Sequence, residues 1–120
     1  MYNYFMLIGR ICNDIEVQEV SEGKRVVNLR LAVNREFKNI NGEYTTDFFN
    51  ISLWEFLADI ANDHFKKGAL VGVKGRISQR EVTLEGGTKI RVPDLVGERI
   101  VFFGDAPAQR TEKNDTEIEG

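Results

Sequence analysis

The sequence predicts an all-β protein in which five strands close into a barrel, with one α-helix between the third and fourth strands. Two observations predict this fold: several segments alternate apolar and polar residues with the period of a strand, and a single segment has the helical period. The chain has 120 residues, the length of one domain. We expect a folded domain over residues 1–103 and an acidic, flexible, disordered C-terminal tail over residues 104–120, which is poor in large apolar residues.

The first predicted strand, residues 4–11, is apolar at both sets of alternating positions. One of its faces packs on the barrel core. The other face carries Tyr4, Met6 and Ile8, and it is either a subunit interface or a surface covered by the chain's own loops. These three residues are the predicted oligomer interface.

The second and third predicted strands, residues 25–37 and 46–54, flank an Asn-Gly turn and should be antiparallel neighbours. The turn's Asn41 and Gly42 are expected to supply positive φ angles. Odd positions in both strands are apolar and predict the core face. The even positions are mostly polar, but in the third strand they include Phe48 and Trp54. The outer face of this strand therefore carries two large aromatic side chains.

A helix is predicted over residues 55–67, where apolar residues recur with helical spacing before a Lys-Lys-Gly end. The fourth strand, residues 70–80, presents Lys74, Arg76 and Arg80 on its outer face. A hairpin over residues 80–92 extends it, and a last strand covers residues 94–103. Pro93 marks an edge, a bulge or the break before that strand. Three strands, a helix and two more strands is the order of the OB-fold.

The formal net charge of −3 and a pI near 5.2 argue at first against a polyanionic partner. The tail, however, holds five acidic residues against two basic ones and accounts for the whole net charge, while residues 1–103 are neutral in total. Cations are also gathered along the fourth strand. A basic face is possible despite the acidic pI, although a run of charges is also typical of an ordinary solvated surface.

Enzyme activity is not expected. The chain has one His and one Cys and none of the spacings of nucleophilic, metal or phosphate-loop motifs, so we predict no catalytic residue, no metal and no cofactor. No apolar run has the length of a membrane span, and the first residues lack the features of a signal peptide. We expect a cytoplasmic protein without membrane contact.

The outer face combines aromatic residues with cations, which lets unpaired bases stack while phosphates are neutralised. A duplex hides its base faces, so single strands are the matching ligand. Phe48 and Trp54 have an alternative interpretation, in which they cap the barrel or pack under a loop. Phe37 in the first hairpin also has an alternative interpretation, in which it packs on its own strand. The cations of the second hairpin, Lys89 and Arg91, are equally compatible with a solvated face.

Five segments carry a resemblance to a known family. They are LIGRI at residues 7–11, LAVNREFK at 31–38, the stretch from DF to W at 47–54, KKG at 66–68, and VGVKGRISQR at 71–80. In this order and register they resemble the bacterial single-stranded DNA-binding protein (SSB) family over residue 1 to about residue 103. The resemblance implies an OB-fold homotetramer, joined through its first strands, that wraps single-stranded DNA without sequence preference during replication, recombination and repair.

The family's base-stacking aromatics fall on Phe37, Phe48 and Trp54 of this sequence. Val82 stands where the family usually has a fourth aromatic, which implies a weakened stacking site there. Family tails usually end in an acidic tip with Pro-Phe that recruits replication and repair enzymes. This chain ends Asp-Thr-Glu-Ile-Glu-Gly, so the resemblance puts recruitment through the tail in doubt.

The leading hypothesis is therefore a sequence-independent single-stranded DNA-binding protein. Phe37, Phe48 and Trp54 stack bases. The predicted phosphate contacts are Arg35, Lys38, Lys74, Arg76, Arg80, Lys89 and Arg91. Two alternatives stay open: a primosomal or other accessory OB-fold protein whose main ligand is another protein, and an OB-fold RNA-binding protein.

Overall fold

The computed structural model describes residues 1–107 and forms six strands and one α-helix over this range. The α-helix, α1, covers Phe56–His64, and a single turn of 3-10 helix covers Ser21–Gly23. The strands are β1 Phe5–Ile11, β2 Val17–Glu19, β3 Arg25–Lys38, β4 Tyr44–Trp54, β5 Leu70–Thr83 and β6 Lys89–Gly104.

Five of these strands close into a barrel. β1 pairs antiparallel with β5 along most of its length and with β3 at its end, where Arg10 lies opposite Ala32. β3 pairs with β4, and β5 pairs with β6, both antiparallel. Parallel pairing of β4 with β6, at Ile51 opposite Leu95 and at Ser52 opposite Val96, completes the circuit. The predicted all-β, five-stranded barrel with one helix is confirmed.

The core follows the predicted alternation of faces. Within the barrel, most odd-numbered residues of β3, β4 and β5 point inward and are buried, as are Ala58 and Ala61 of α1, whereas Phe37 of β3 and Ile77 of β5 are exposed. The fully buried side chains of these three strands are Val27, Leu29, Leu31, Ile51, Leu53, Val71 and Val73. Each large aliphatic side chain buried in this way stabilises the fold by about 1.5–3 kcal/mol relative to an exposed one. Most even-numbered residues of β3 and β4 are consequently left on the outside, although Val26, which lies opposite Trp54, is buried.

The helix is shorter than its apolar periodicity predicts. Glu55 has φ 54° and ψ −116°, which is not helical, so α1 begins one residue later at Phe56. At the other end Phe65 is extended, with φ −95° and ψ 138°, and its ring is buried. Phe65 lies inside the predicted helix range of residues 55–67, but it packs on the barrel from extended backbone.

β6 is one continuous strand through Pro93, which lies opposite Gln79 of β5. The pairing of β4 with β6 begins only at Leu95, so Pro93 has a strand neighbour on one side alone. A missing backbone N–H is tolerated at such an edge, which is one of the three roles predicted for this proline. The sequence did not predict the three-residue strand β2, which is too short to show an alternating pattern.

Both predicted hairpin turns form. In the first, the backbone N–H of Asn39 donates to the carbonyl of Glu43, and the Asn39 side chain accepts from the N–H groups of Asn41 and Glu43. Gly42 has φ 80°, whereas Asn41 does not have a positive φ, contrary to the prediction for this residue. The second hairpin joins β5 to β6 through glycines at positive φ.

β6 ends at Gly104, one residue beyond the predicted limit of the domain, and residues 105–107 follow without regular structure. The remainder of the predicted tail, residues 108–120, lies outside the described residues. α1 has 9 residues, and no helix in residues 1–107 is long and apolar enough to cross a membrane.

Candidate nucleic-acid interface

The outer face of β4 carries the two aromatic residues that the alternation predicts. Phe48 is 53% exposed and Trp54 is 38% exposed, so neither is enclosed under a loop. Phe48 lies opposite the small side chain of Ala32, and Trp54 lies opposite Val26. At about 3.3 Å per residue the two rings are separated by roughly 20 Å along the strand. They are two separate exposed aromatic rings on one face.

Arg30 of β3 adds a cation to the Phe48 position. Its guanidinium carbon lies 4.7 Å from the centre of the Phe48 ring, within the range of a cation–π contact. Arg30 was not among the residues singled out from the sequence. The available signal was its even position in β3, which places it on the same outer face as Phe48.

A groove runs beside these residues, between β4 and the part of the β5–β6 hairpin that projects beyond the barrel. We call this projecting hairpin, residues 79–93, the arm. The groove is polar near its base and has a volume of about 350 Å³. It is lined by Asn28, Asn50, Ser52, Arg80, Val92, Pro93, Asp94 and Leu95.

An apolar cavity, also of about 350 Å³, continues from this groove. Both share Asn50, Pro93 and Leu95 as lining residues, and the apolar part adds Phe48 and Ile77. The cavity exists because β4 and β6 separate on the N-terminal side of Ile51, where their pairing ends. An exposed aromatic ring, an apolar recess and a polar groove are thereby joined along one path.

Three of the predicted phosphate contacts are already paired with carboxylates. Arg35 Nε donates to Asp47 at 2.9 Å, Arg76 Nη1 to Glu98 at 2.9 Å, and Arg80 Nε to both oxygens of Asp94 at 2.9 and 3.1 Å. All three arginine side chains are more than half exposed. The pairs are therefore on the surface, where ion pairs are weak.

The pair of Arg35 and Asp47 shifts both groups in the direction that favours their charged forms. Hydrogen bonding to Arg35 lowers the pKa of Asp47 from its usual value, with the opposite charge of Arg35 contributing in the same direction. The hydrogen bond to Asp47, followed by its charge, raises the pKa of Arg35. Asp47 directly precedes Phe48, and because neighbouring side chains of a strand point to opposite faces, this pair lies on the face of β4 opposite the Phe48 ring.

The other predicted contacts lie in three different places. Lys38 is in the β3–β4 hairpin, 5.5 Å from the ring centre of Tyr44. Lys74 lies opposite Met6 and 5.3 Å from the Tyr4 ring centre, on the side of the predicted oligomer interface and away from Phe48. Lys89 and Arg91 are in the arm.

The two faces of the arm differ. Arg80 lies opposite Val92, and both line the groove. Because side chains alternate between faces, Arg91 and its cross-strand neighbour Glu81 point to the other face, as does Lys89. The structure thus brings Arg80 to the aromatic face and directs the two remaining arm cations away from it.

Phe37 is 81% exposed near the end of β3, so it does not pack on its own strand. Val82 lies in the arm on the same face as Arg80, because even positions of β5 share that face. An aliphatic side chain at this position has no ring on which a base can stack.

A strained corner follows Trp54. Glu55 has positive φ, which is rare for a residue with a Cβ and commonly costs about 1–3 kcal/mol. Arg25 holds this corner: its carbonyl accepts from the Glu55 N–H at 2.8 Å, and its own N–H donates to Glu55 Oε1 at 2.9 Å. The Arg25 guanidinium in turn forms two 2.9 Å hydrogen bonds with Asp59 of α1. The end of β4 and the start of α1 are thus tied together next to Trp54.

The outward face of β1 is apolar and uncovered. Tyr4, Met6 and Ile8 are 63%, 49% and 48% exposed, and the described loops of the chain do not bury them. The Phe103 ring of β6 lies on the same surface, because it and the Met6 and Ile8 side chains all surround Gly72. The result is a continuous apolar patch away from Phe48.

Within residues 1–107, no group of three or more His, Cys, Asp or Glu side chains has the geometry to hold a metal ion. His64 is exposed in the last turn of α1. Cys12 is partly buried, with its Sγ 3.6 Å from the carbonyl oxygen of Arg10.

Comparisons with known proteins agree with this geometry. The model of the "Single-strand binding protein family" matches residues 2–103. "Single-stranded DNA-binding protein B" of Bacillus subtilis is 36% identical over 110 residues, covering 92% of this chain and 97% of the relative. "Single-stranded DNA-binding protein 3" of Streptococcus agalactiae is 40% identical over 110 residues, covering 92% of this chain and 80% of the relative.

A solved structure described as a Plasmodium falciparum SSB complex with ssDNA superposes with a TM-score of 0.71. It covers 86% of this chain and 96% of that chain at 22% identity. This likeness supports the barrel architecture.

Proposed function

The chain belongs to the single-strand binding protein family, and we propose that it coats and protects single-stranded DNA, without sequence preference, in replication, recombination and repair. The family resemblance drawn from the five sequence segments is confirmed by the family model and by the relatives. These relatives are named for binding single-stranded DNA, and binding is the activity that we assign to this chain, without catalytic turnover.

The observation that carries the proposal is the position of Phe48. Its exposed ring lies beside a recess large enough to receive an aromatic ring, with the Arg30 guanidinium 4.7 Å from its centre. Base stacking on such a ring is worth about 1–3 kcal/mol per base and does not depend on which base is stacked. We propose that Trp54 and Phe37 provide two further stacking positions.

We propose that the strand's phosphates are held by cations on either side of this path. Arg80 and Lys38 flank the aromatic face, Arg35 lies on the opposite face of the β3–β4 hairpin, and Arg76 lies next to β6 on the outer surface. Lys74, Lys89 and Arg91 would contact a strand that continues around the barrel and over the outer side of the arm. This arrangement supports wrapping of a long strand better than capture of a short one.

We further propose that the protein acts as a homotetramer assembled through the apolar face of β1. Tyr4, Met6 and Ile8 are half-exposed, although large apolar side chains seldom form a continuous exposed patch on a monomer. Sedimentation of the free protein should give the mass of four chains. A monomeric mass at micromolar concentration would reject this assembly.

The experiment that tests DNA coating is a competition. A fluorescently labelled oligo(dT) bound to the full chain is challenged with unlabelled single-stranded DNA, with a duplex of the same length, and with RNA of the same length. We expect release by the single strand and little release by the duplex. Equal release by duplex would reject binding through exposed bases, and stronger release by RNA would favour an RNA-binding protein.

Binding of replication or repair proteins through the tail concerns residues outside the described range. Action on chromosomal or other intracellular DNA implies a cytoplasmic location, which accords with the expectation from the sequence.

A further inference from the structure

We propose that Asp47 and Asp94 act as built-in competitors of the DNA phosphates and set how strongly binding depends on salt. The proposal rests on the proposed function, since it concerns the same phosphate contacts. Each carboxylate occupies a guanidinium that would otherwise be available to a phosphate: Asp47 holds Arg35 and Asp94 holds Arg80.

Asp94 lines the polar groove together with Asn50. Asp47 precedes Phe48 in β4, and its carboxylate is on the opposite face of that strand, where a DNA strand that continues around the β3–β4 hairpin would meet it. Both of these ion pairs have an oxygen 2.9 Å from the arginine Nε. The Arg35 and Arg80 side chains are 60% and 61% exposed, so an incoming phosphate can reach either guanidinium.

The carboxylates need not be lost for a phosphate to bind, because a guanidinium has five donors and can contact two anions at once. A phosphate, Arg35 and Asp47 together still carry a net charge of −1, which is the charge of the phosphate alone. Such a phosphate continues to attract a counterion. In contrast, a phosphate bound by an arginine without a carboxylate is neutralised and releases its counterion.

Salt dependence therefore distinguishes arginines that are paired with a carboxylate from cations that are not. For a single strand, each neutralised phosphate adds about 0.7 to the slope of log K against log salt. We expect Arg35 and Arg80 to contribute little to this slope in the native chain. Lys38, Lys74, Lys89 and Arg91, which form no salt bridge among residues 1–107, should contribute most of it.

The test measures oligo(dT) affinity over a series of salt concentrations for the full chain and for Asp47→Asn, Asp94→Asn and the double variant. We expect each single substitution to steepen the slope by up to about 0.7 and the double substitution by up to about 1.4. A tenfold rise in salt should then cost each single variant about fivefold more affinity than it costs the native chain. Binding at low salt should become tighter.

Glu36→Gln and Glu85→Gln are the matched controls. They remove the same charge from β3 beside Arg35 and from the turn of the arm, but neither carboxylate forms a salt bridge within the described part of the chain. Their slopes should equal that of the native chain. This separates direct competition from a general change in net charge.

Equal slopes for the Asp variants and the Glu controls would overturn the proposal, even if all of them bound more tightly. Circular dichroism checks that each variant is folded. If Asp47→Asn unfolds the chain, the salt slope of Asp94→Asn alone tests the proposal. Failure of the native chain to bind oligo(dT) would reject the proposed function itself, whereas binding with unchanged slopes rejects only the role of the two carboxylates.

Discussion

Phe48 is the residue to which we assign the central stacking role, and its neighbours are the reason for this assignment. Its even position in the strand puts it on the outside of β4. The small Ala32 opposite leaves its ring uncovered, and Arg30 supplies a cation at 4.7 Å from the ring centre. Phe48 and Arg30 come from different strands, so their contact depends on the β3–β4 register. Removing either residue leaves the barrel core intact, because both are on its outer surface.

Phe48→Ala and Trp54→Ala should each weaken binding to oligo(dT) by about 1–3 kcal/mol, the usual value of one stacked base. Isothermal titration calorimetry would measure the affinity of both variants. It does not need tryptophan fluorescence, which Trp54→Ala removes. Phe56→Ala serves as control, because Phe56 is 72% exposed but lies on α1, off the aromatic face. Equal losses in all three variants would show that exposure alone, and not position, governs the contribution.

Glu55 permits a separate test of the corner next to Trp54. Glu55→Gly and Glu55→Ala both remove the acceptor of the Arg25 N–H, but only glycine adopts positive φ without strain. We expect the Gly variant to be more stable than the Ala variant by about 1 kcal/mol or more in urea unfolding. At Glu36, where φ is not positive, the order should reverse. The same order at both positions would contradict strain at Glu55.

Asp47 predicts a pH dependence of stability. Because its pKa is lowered in the folded chain, its pair with Arg35 stabilises the fold fully above the unfolded pKa of about 3.9. That contribution is lost as the pH falls through the lower folded pKa. The difference in Tm between the native chain and Asp47→Asn should be constant from pH 7 to 5 and should shrink below pH 4. A difference independent of pH would show that the charge of Asp47 does not contribute.

The arm is the element whose two faces differ most. Its groove side carries Arg80, and its outer side carries Lys89 and Arg91. We expect Arg80→Ala to weaken binding of short and long oligo(dT) alike. Replacing Lys89 and Arg91 together by Ala should affect only oligonucleotides long enough to pass around the arm. Affinities measured across a series of lengths would test this, and a loss for the shortest oligonucleotide in the double variant would contradict it.

Strands were predictable from the sequence because their alternation reflects a single physical requirement, burial of one face. This is true of β3 and β4, whose inner residues are those that the alternation of apolar and polar positions predicts. Element ends were less predictable. Phe65 lies within the predicted helix but packs in extended backbone, and Pro93 lies inside β6 because β4 is absent beside it. Both outcomes depend on tertiary neighbours that local sequence does not reveal.

At the scale of the whole molecule, the sequence predicted which residues belong to the candidate site better than it predicted how they are arranged. Phe48 and Trp54 followed from the alternation of faces, Phe37 from its place in the adjoining hairpin, and all three from the family resemblance; all three are exposed. The pairs of Arg35 with Asp47 and of Arg80 with Asp94 join residues on different strands and require the barrel's register. Likewise, Lys74 is in the basic stripe of β5, yet closure of the barrel places it beside β1.

The net charge of −3 likewise says little about DNA binding until the positions of the charged residues are known. Carboxylates such as Asp47 and Asp94 lie within the same surface as the proposed phosphate contacts, so this surface is not a uniformly basic stripe. Binding is therefore expected to rest on stacking together with a limited number of unpaired cations. This is compatible with an acidic pI in a DNA-binding protein.

Titration of the full chain with oligo(dT), followed by the fluorescence of Trp54, tests the central claim most directly. Trp54 is the sole tryptophan, is 38% exposed and lies on the proposed stacking face, so its emission reports base contact at one known position. We predict saturable quenching that is reversed by added salt and is absent with duplex DNA. Unchanged emission together with no retention of the oligonucleotide would contradict single-stranded DNA binding by this face.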